Sequence, residues 1–365
     1  MSSTWGNKLK ISIFGESHSK GIGIVIDGIP AGTVVDFPQL LDFMGRRSSK
    51  GGSLDTARIE TDFPQIQSGL LPDVNNPNLL IACGTPICAV IENNNTRSKD
   101  YDKMRSIARP GHADYTGFVR YNGFNDIRGG GHFSGRLTAP LCFAGAVAVQ
   151  FLRSQGIEVG AHIASVAGIA DKAFDPVSVS AQELREVTGK FFPVLDEMQG
   201  QKMQDRIRQA KEEQNSVGGI IECAAVGLSA GLGSPMFDCV ESKISSIIFG
   251  IPAVKGIEFG SGFGFAEMMG SQSNDPFCIK DGAVKTTSNH NGGILGGITN
   301  SMPLIFRTVI KPTPSIGKIQ DTVNFMTGEN TQLSITGRHD PCIVRRAVPC
   351  IESAAAIALM DILLG

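Results

Sequence analysis

Five of the six histidines stand in short polar segments rich in glycine: His18 in GESHSKG, His112 in RPGHADYTG, His132 in RGGGHFSGR, His290 in SNHNGG and His339 in GRHDP. Arginines share three of these segments, as Arg109, as Arg128 with Arg136, and as Arg338. Histidine exchanges a proton near neutral pH. Arginine grips carboxylates and phosphates with a planar fork. Glycine lets a backbone approach a ligand closely. Glycine and polar residues also favour ordinary turns. Five such segments in one chain nevertheless point to a loop-built site for an anionic substrate that undergoes proton transfer.

Composition narrows the chemistry. The formal net charge is -2 over 365 residues, so no global basic field attracts nucleic acid. An anion site must be a local cluster. Glycine supplies 44 residues, well above the ~7% usual share, as many tight loops require. The eight cysteines form no C-x-x-C pair, which disfavours zinc ribbons and thioredoxin-like motifs. Cys142, Cys223 and Cys350 stand in apolar runs as small core residues, and reduced cytosolic thiols are expected. The first ten residues carry no apolar targeting stretch, and no run of 18 apolar residues marks a membrane span. Neither G-x-G-x-x-G nor G-x-x-x-x-G-K-[ST] occurs, and the run GSGFGF at 260–265 only looks similar. No nucleophile elbow G-x-S-x-G is found. Nothing has metal-ligand spacing such as H-E-x-x-H, so no metal is expected.

The elements that must hold these segments are partly legible. Leu9, Ile11 and Ile13, then Ile22, Ile24 and Ile26, alternate as two strands of a hairpin across residues 8–28. His18 falls in its connection. Asp36 can cap a helix over 37–45, with Leu40, Leu41 and Met44 on one face. Residues 78–91 read as one or two buried strands, and 94–135 resist assignment. A buried, alanine-rich helix is expected at 137–154. Strands are expected at 157–168, 218–226, 254–259 and 304–310. Ser180 and Glu183 form a capping box for one helix. Charged and amphipathic helices follow at 193–214 and 240–249, and a last buried helix at 350–364. Two signatures recur in the same order: GIPAG at 28–32 with RLTAP at 136–140, then GLSAG at 227–231 with RRAVP at 345–349. Proline suits a helix start. We therefore expect two related halves, about 8–154 and 157–364.

The segments FGESH, RPGHADYT, RGGGHFSGR, AVKGIEFGxGF, SNHNGGILGGI, KPTPS and GRHDPCIVRRAVP resemble those of chorismate synthase, in that family's order, from near residue 14 to near residue 352. The resemblance covers essentially the whole chain as one domain. It implies an α+β fold, a β-α-β sandwich of antiparallel sheets around a helical layer, in a cytoplasmic homotetramer. It implies a carbon-oxygen lyase of the shikimate pathway of aromatic amino acid biosynthesis. The family converts 5-enolpyruvylshikimate 3-phosphate to chorismate and phosphate by 1,4-anti elimination. The reaction needs reduced FMN with no net redox change. The flavin lends electron density as phosphate departs and then recovers it.

By position, His18 resembles the histidine that protonates the leaving phosphate, a role needing the imidazolium that phosphate charge favours. His112 resembles the histidine that keeps the reduced ring monoanionic. Asp340, whose neighbours Arg338 and His339 would hold it ionised as a base should be, matches the aspartate implicated in removing the ring proton. Ser17 and Ser134 match serines that orient flavin or substrate. Arg47, Arg136 and Arg338 resemble substrate-binding arginines, as a substrate with one phosphate and two carboxylates requires. Flavin contacts are implied for His132, Phe133, Ser134, Ala253, Gly296, Arg338 and the run Lys311, Pro312, Thr313, Pro314 and Ser315. Asn289 and His290 share a glycine-rich signature, His290 as a positioning residue, while His162 reads as structural. The chain departs from the family where Ser53 replaces a common arginine, with Lys50 nearby, and where His132-Phe133 replaces Arg-Ser. Two alternatives stand beside the lyase. One is a catalytically silent flavin-binding protein. The other is a bifunctional enzyme that reduces its flavin with NADPH. Without an added reductase domain, a separate flavin reductase is the expected source of reduced flavin, so NADPH acts only indirectly.

Overall fold

The structure is a computed structural model that describes residues 3–49, 51, 54–55, 61–94, 106–335 and 340–365. In chain order, the strands of the first large sheet are β1 (Thr4–Trp5), β2 (Lys10–Gly15), β3 (Gly21–Asp27), β4 (Pro64–Ser68) and β5 (Ile87–Glu92). Those of the second are β6 (Glu158–Val166), β7 (Ile169–Ala170), β8 (Gly219–Val226), β9 (Val254–Phe259) and β10 (Leu304–Ile310). The helices longer than one turn are α1 (Phe37–Arg47), α2 (Asp114–Arg120), α3 (Thr138–Ser154), α4 (Ala181–Thr188), α5 (Glu197–Glu212), α6 (Val240–Ile248) and α7 (Val344–Leu363).

The first sheet runs β1-β2-β3-β5-β4 and the second β7-β6-β8-β10-β9. All these pairings are antiparallel. With the short edge strands β1 and β7 set aside, both sheets place their remaining strands as first, second, fourth, third. Alternation sets the register of β2 against β3. Ile11 faces Ile26 and Ile13 faces Ile24, so one face of the hairpin turns apolar side chains inward.

Between the sheets lie α3 and α7, packed on each other, with α3 also on the first sheet and α7 on the second. Small residues let the two helices meet closely. A Cβ on Gly145 would stand 2.1 Å from the Ser353 hydroxyl oxygen. The stretch Gly135–Ser154 is long and apolar enough to cross a membrane, yet 83% of it is buried inside the fold. The core therefore absorbs the apolar surface that composition put there. Cys142, Cys223 and Cys350 are all buried in it. The result is an α+β sandwich.

Local signals explain most helix starts. The Asp36 carboxylate accepts from the Gln39 amide at 2.9 Å, and the Ser180 hydroxyl accepts from Glu183 at 3.1 Å. Each satisfies one of the amides that a helix leaves unpaired. Helix α1 continues past the expected stop at Gly45 to Arg47, because both arginines of its last turn find partners. Arg46 pairs with buried Glu352 at 2.6 Å. The final helix differs more. It starts at Val344 rather than 350 and carries Pro349 inside it, not at its start. The proline stands just past the first turn, where few helical hydrogen bonds precede it.

Candidate active site

Three consecutive glycines assemble the centre. Gly129, Gly130 and Gly131 all adopt positive φ, at 61°, 85° and 55°, a region open to glycine and costly for other residues. A Cβ on Gly129 would lie 2.6 Å from the His18 ring and 2.8 Å from the Ser17 hydroxyl. One on Gly130 would lie 3.1 Å from His112 Nε2 and 3.7 Å from Ser134 Cβ. The Ser17 amide donates to the Gly131 carbonyl at 3.1 Å. The β2–β3 connection, the segment before α2 and the segment before α3 thus converge on one backbone turn. His18 and Ser17 are buried there.

A buried carboxylate orients His112. Its Nδ1 lies 2.7 Å from Asp114 Oδ1 and 3.0 Å from Arg109 Nη2. A guanidinium only donates, so the consistent assignment has Nδ1–H donating to Asp114. Arg109 then binds the same carboxylate, through Nε at 2.7 Å and Nη2 at 2.7 Å. Nε2 is left on the side facing Gly130. Burial opposes a charge on Asp114, but its bonds to Arg109 and His112 prevail and hold it far below the usual carboxylate range. Sequence reading missed Asp114, although it stands two residues after His112 in the matched segment.

A second missed carboxylate joins the arginines. Asp62 accepts from Arg47 Nε at 3.1 Å and Nη2 at 2.6 Å, from Ser48 at 2.8 Å, and from Arg136 Nη1. Burial raises its pKa, but the charges of Arg47 and Arg136 outweigh it and hold it at about 2. Arg47 Nη1 also donates to Thr138 at 3.1 Å and to the Gly135 carbonyl at 3.3 Å. Arg136 Nε donates to Asn93 at 3.0 Å, and Asn93 donates to the carbonyls of Glu16 and Ser19 at 3.0 Å each. Asn93 therefore ties the arginine pair to the loop bearing His18. Isolated Asp and Asn residues carry no spacing signal that would have revealed these roles.

The run 311–315 follows the end of β10. Lys311 donates to the Gly111 carbonyl, and Arg109 Nη1 reaches the Ser315 hydroxyl at 3.4 Å. The Thr313 hydroxyl donates to the Asp340 carbonyl at 2.7 Å. The Asp340 carboxylate accepts from Arg346 at 2.8 Å, and Arg346 also donates to the Arg47 carbonyl at 3.1 Å. Thus His18, Ser17, His112, Ser134, Arg47, Arg136, Asp340 and the run 311–315 form one connected constellation. Ala253 joins it through the Lys311 amide, at 2.9 Å.

Other expected residues lie differently. His132 Nδ1 rests 2.8 Å from the Gly15 carbonyl and Nε2 2.8 Å from the Ser3 hydroxyl. Phe133 packs near Gly117 and Tyr121. Gly296 sits in the turn from Ile294–Leu295 to Ile298–Thr299, with open space where a Cβ would be. No hydrogen bond among the described residues ties it to the constellation. Asn289 donates to the Pro176 and Pro303 carbonyls at 2.8 Å each, and the His290 amide is held by Asp275. Arg338, His339, Lys50 and Ser53 lie outside the described residues. His162 is fully enclosed between Asp171 at 3.1 Å and Glu222 at 2.9 Å. Among the described residues, no group of histidine, cysteine and carboxylates could hold a metal ion.

Two antiparallel sheets around a helical layer, with two imidazoles against a glycine turn and two guanidinium groups tied to the His18 loop through Asn93, define an α+β sandwich with a loop-built site. A sequence model described as chorismate synthase matches residues 9–364. The chorismate synthase of Lancefieldella parvula is 45% identical, covering 100% of this chain and 96% of the relative. That of Thermococcus kodakarensis is 42% identical, over 98% of this chain and 97% of its own. A crystal structure of chorismate synthase superposes with a TM-score of 0.75 at 26% identity, covering 99% of this chain and 93% of that one. The chain belongs to the chorismate synthase family, and chorismate synthesis is its function.

Proposed function

We propose that the chain is a carbon-oxygen lyase. It turns 5-enolpyruvylshikimate 3-phosphate into chorismate and phosphate by 1,4-anti elimination, with reduced FMN. The observation that carries this reading is one connected set: His18 and His112 lie against the Gly129–Gly131 turn, Asn93 links the His18 loop to Arg136, Asp62 links Arg136 to Arg47, and Arg346 links Arg47 to Asp340. The donor set fits a flavin mononucleotide. Lys311, Thr313 and Ser315 offer cationic and hydroxyl groups for a phosphate, and the side-chain-free turn at Gly129–Gly131 brings backbone close against His18 and His112. Reduced FMN, when bound, supplies transient electron density to the breaking carbon-oxygen bond.

The rest is the work of side chains. His18 donates a proton to the departing phosphate. The Asp114 bond fixes the tautomer and direction of His112, so that Nε2 would be the ring nitrogen offered to a bound flavin. Arg47 and Arg136 serve the substrate's anionic groups, and the resemblance gives Arg338 the same role. Asp340, held by Arg346, receives the proton lost from the ring carbon. Enclosure of these groups strengthens each electrostatic interaction.

Assembly belongs to the same reading. Phe263, Met269, Phe277, Ile279 and Val284 are exposed within one stretch of chain, as an oligomer interface would leave them. We take the working form to be a homotetramer in the cytoplasm, fed by a separate flavin reductase. The shared strand order of the two sheets supports two related halves, 8–154 and 157–364.

The test is an anaerobic assay with the purified chain, enolpyruvylshikimate phosphate and chemically reduced FMN. Chorismate and phosphate should appear together, and neither with oxidised FMN. Tight FMN binding without turnover would instead support a silent flavin-binding protein. NADPH oxidation by the chain with FMN would reveal a built-in reductase.

A further inference from the structure

Asp62 lies in none of the segments that carry the family resemblance, yet it is the only carboxylate that touches both Arg47 and Arg136 among the described residues. Its side chain is 3% exposed. One oxygen, Oδ2, takes both donors of the Arg47 edge together with the Ser48 hydroxyl. The other, Oδ1, takes Arg136 Nη1. Thr138 and Gly135 hold the far edge of Arg47, and Asn93 holds Nε of Arg136. Four of the five N–H groups of Arg47 are thereby used, which fixes the plane of its guanidinium.

We infer that Asp62 is a positioning residue for the elimination, setting Arg47 and Arg136 as one paired cradle for the anionic groups of the substrate. The inference rests on the reading that these arginines serve the substrate. Two guanidinium groups this close repel each other, and the repulsion is strong where water is excluded. One carboxylate between them removes that repulsion and still leaves the trio with a net charge of +1. The surplus is what draws the substrate. A neutral residue at 62 would free the two forks to separate and would release Arg47 from its fixed plane. The cradle takes the substrate's carboxylates, which stand apart from the departing phosphate, so its loss weakens ground state and transition state alike. Such a loss raises KM and leaves kcat little changed. An ion pair with a purely structural role would lower thermal stability and leave KM alone.

The experiment compares full-length Asp62→Asn, Asp62→Glu, Arg47→Lys and Arg136→Lys under anaerobic steady state with reduced FMN. Thermal unfolding of each variant is followed in parallel. Asp62→Asn should raise KM for enolpyruvylshikimate phosphate ~10-fold or more, with a much smaller fall in kcat. Asp62→Glu, which keeps the charge on a longer arm, should recover part of that loss. If Asp62→Asn folds with an unchanged KM, or lowers kcat alone, while the lysine variants raise KM, the role given to Asp62 is overturned and the reading of the arginines stands. If the lysine variants also leave KM unchanged, the reading of the arginines fails as well. Should Asp62→Asn not fold, Asp62→Glu decides: a raised KM supports the cradle and an unchanged one overturns it.

Discussion

Gly129→Ala is the sharpest perturbation of the proposed centre. Its φ of 61° lies in the left-handed region, which costs a non-glycine residue ~1–2 kcal/mol. In a domain of moderate size, each kcal/mol lowers the melting point by ~2–4 °C, so unfolding should shift by only several degrees. The effect on activity should be far larger. The new methyl would start 2.6 Å from Cδ2 and Nε2 of His18, whereas carbon atoms at ease stand ~3.5–4.0 Å apart. His18 is buried and its ring is rigid, so it must retreat by roughly 1 Å. A displacement of that size can cost ~100-fold in rate. Anaerobic phosphate release with reduced FMN reads kcat directly, with thermal unfolding measured on the same preparation. Gly264→Ala is the control, since its Cβ would meet nothing within 4 Å and its φ is not positive. A Gly129→Ala enzyme that turns over at close to the wild-type rate would refute the argument that this glycine sets the His18 position.

Replacing His112 with Ala should lower turnover by ~100-fold or more while circular dichroism stays unchanged; a near-native rate would remove it from the mechanism. Gly145→Ala should destabilise the α3–α7 contact by ~1–3 kcal/mol, because its Cβ would overlap Ser353; an unchanged urea midpoint would show that the helices yield freely. His162 predicts a pH effect. Burial opposes its charge, but hydrogen bonds and charges from Asp171 and Glu222 win, so its pKa is raised. A group with a raised folded-state pKa stabilises fully below its unfolded value, ~6.5 for histidine. That contribution is lost as pH climbs through the folded-state value. Urea midpoints should therefore fall above neutral pH in the wild type, and His162→Gln should flatten this part of the profile. Equal slopes in the two proteins would count against a charged His162.

Short-range physics made much of this chain legible. Alternation of Ile11, Ile13, Ile22, Ile24 and Ile26 is enough to define a half-buried hairpin, because successive strand residues point to opposite faces. β9 and β10 occupy the expected spans 254–259 and 304–310, since short segments carrying β-branched and aromatic residues, bounded by glycine or proline, favour strands. Asp36 and Ser180 cap helices through bonds that reach only three residues. The start of α7 was not legible, because Pro349 reads as a boundary when only its neighbours are considered. Packing of the whole helix against α3 and the second sheet outweighs that local preference. The glycine turn at 128–133 also escaped assignment, as glycine restricts the backbone too little to declare which turn it will make.

The residue types settled the chemistry in advance: imidazoles for protons and guanidiniums for anions, on loops free to approach a ligand. Which residues meet was decided by the tertiary structure alone. Asp62, Asp114 and Asn93 acquire their roles from contacts, and those of Asp62 and Asn93 cross from one segment to another. Asn93 and Arg136 are separated by 43 positions and joined at 3.0 Å. A carboxylate or amide becomes an orienting group only when folding buries it beside a charge. No local pattern encodes that event, because its energy comes from groups far apart in the chain brought together out of water.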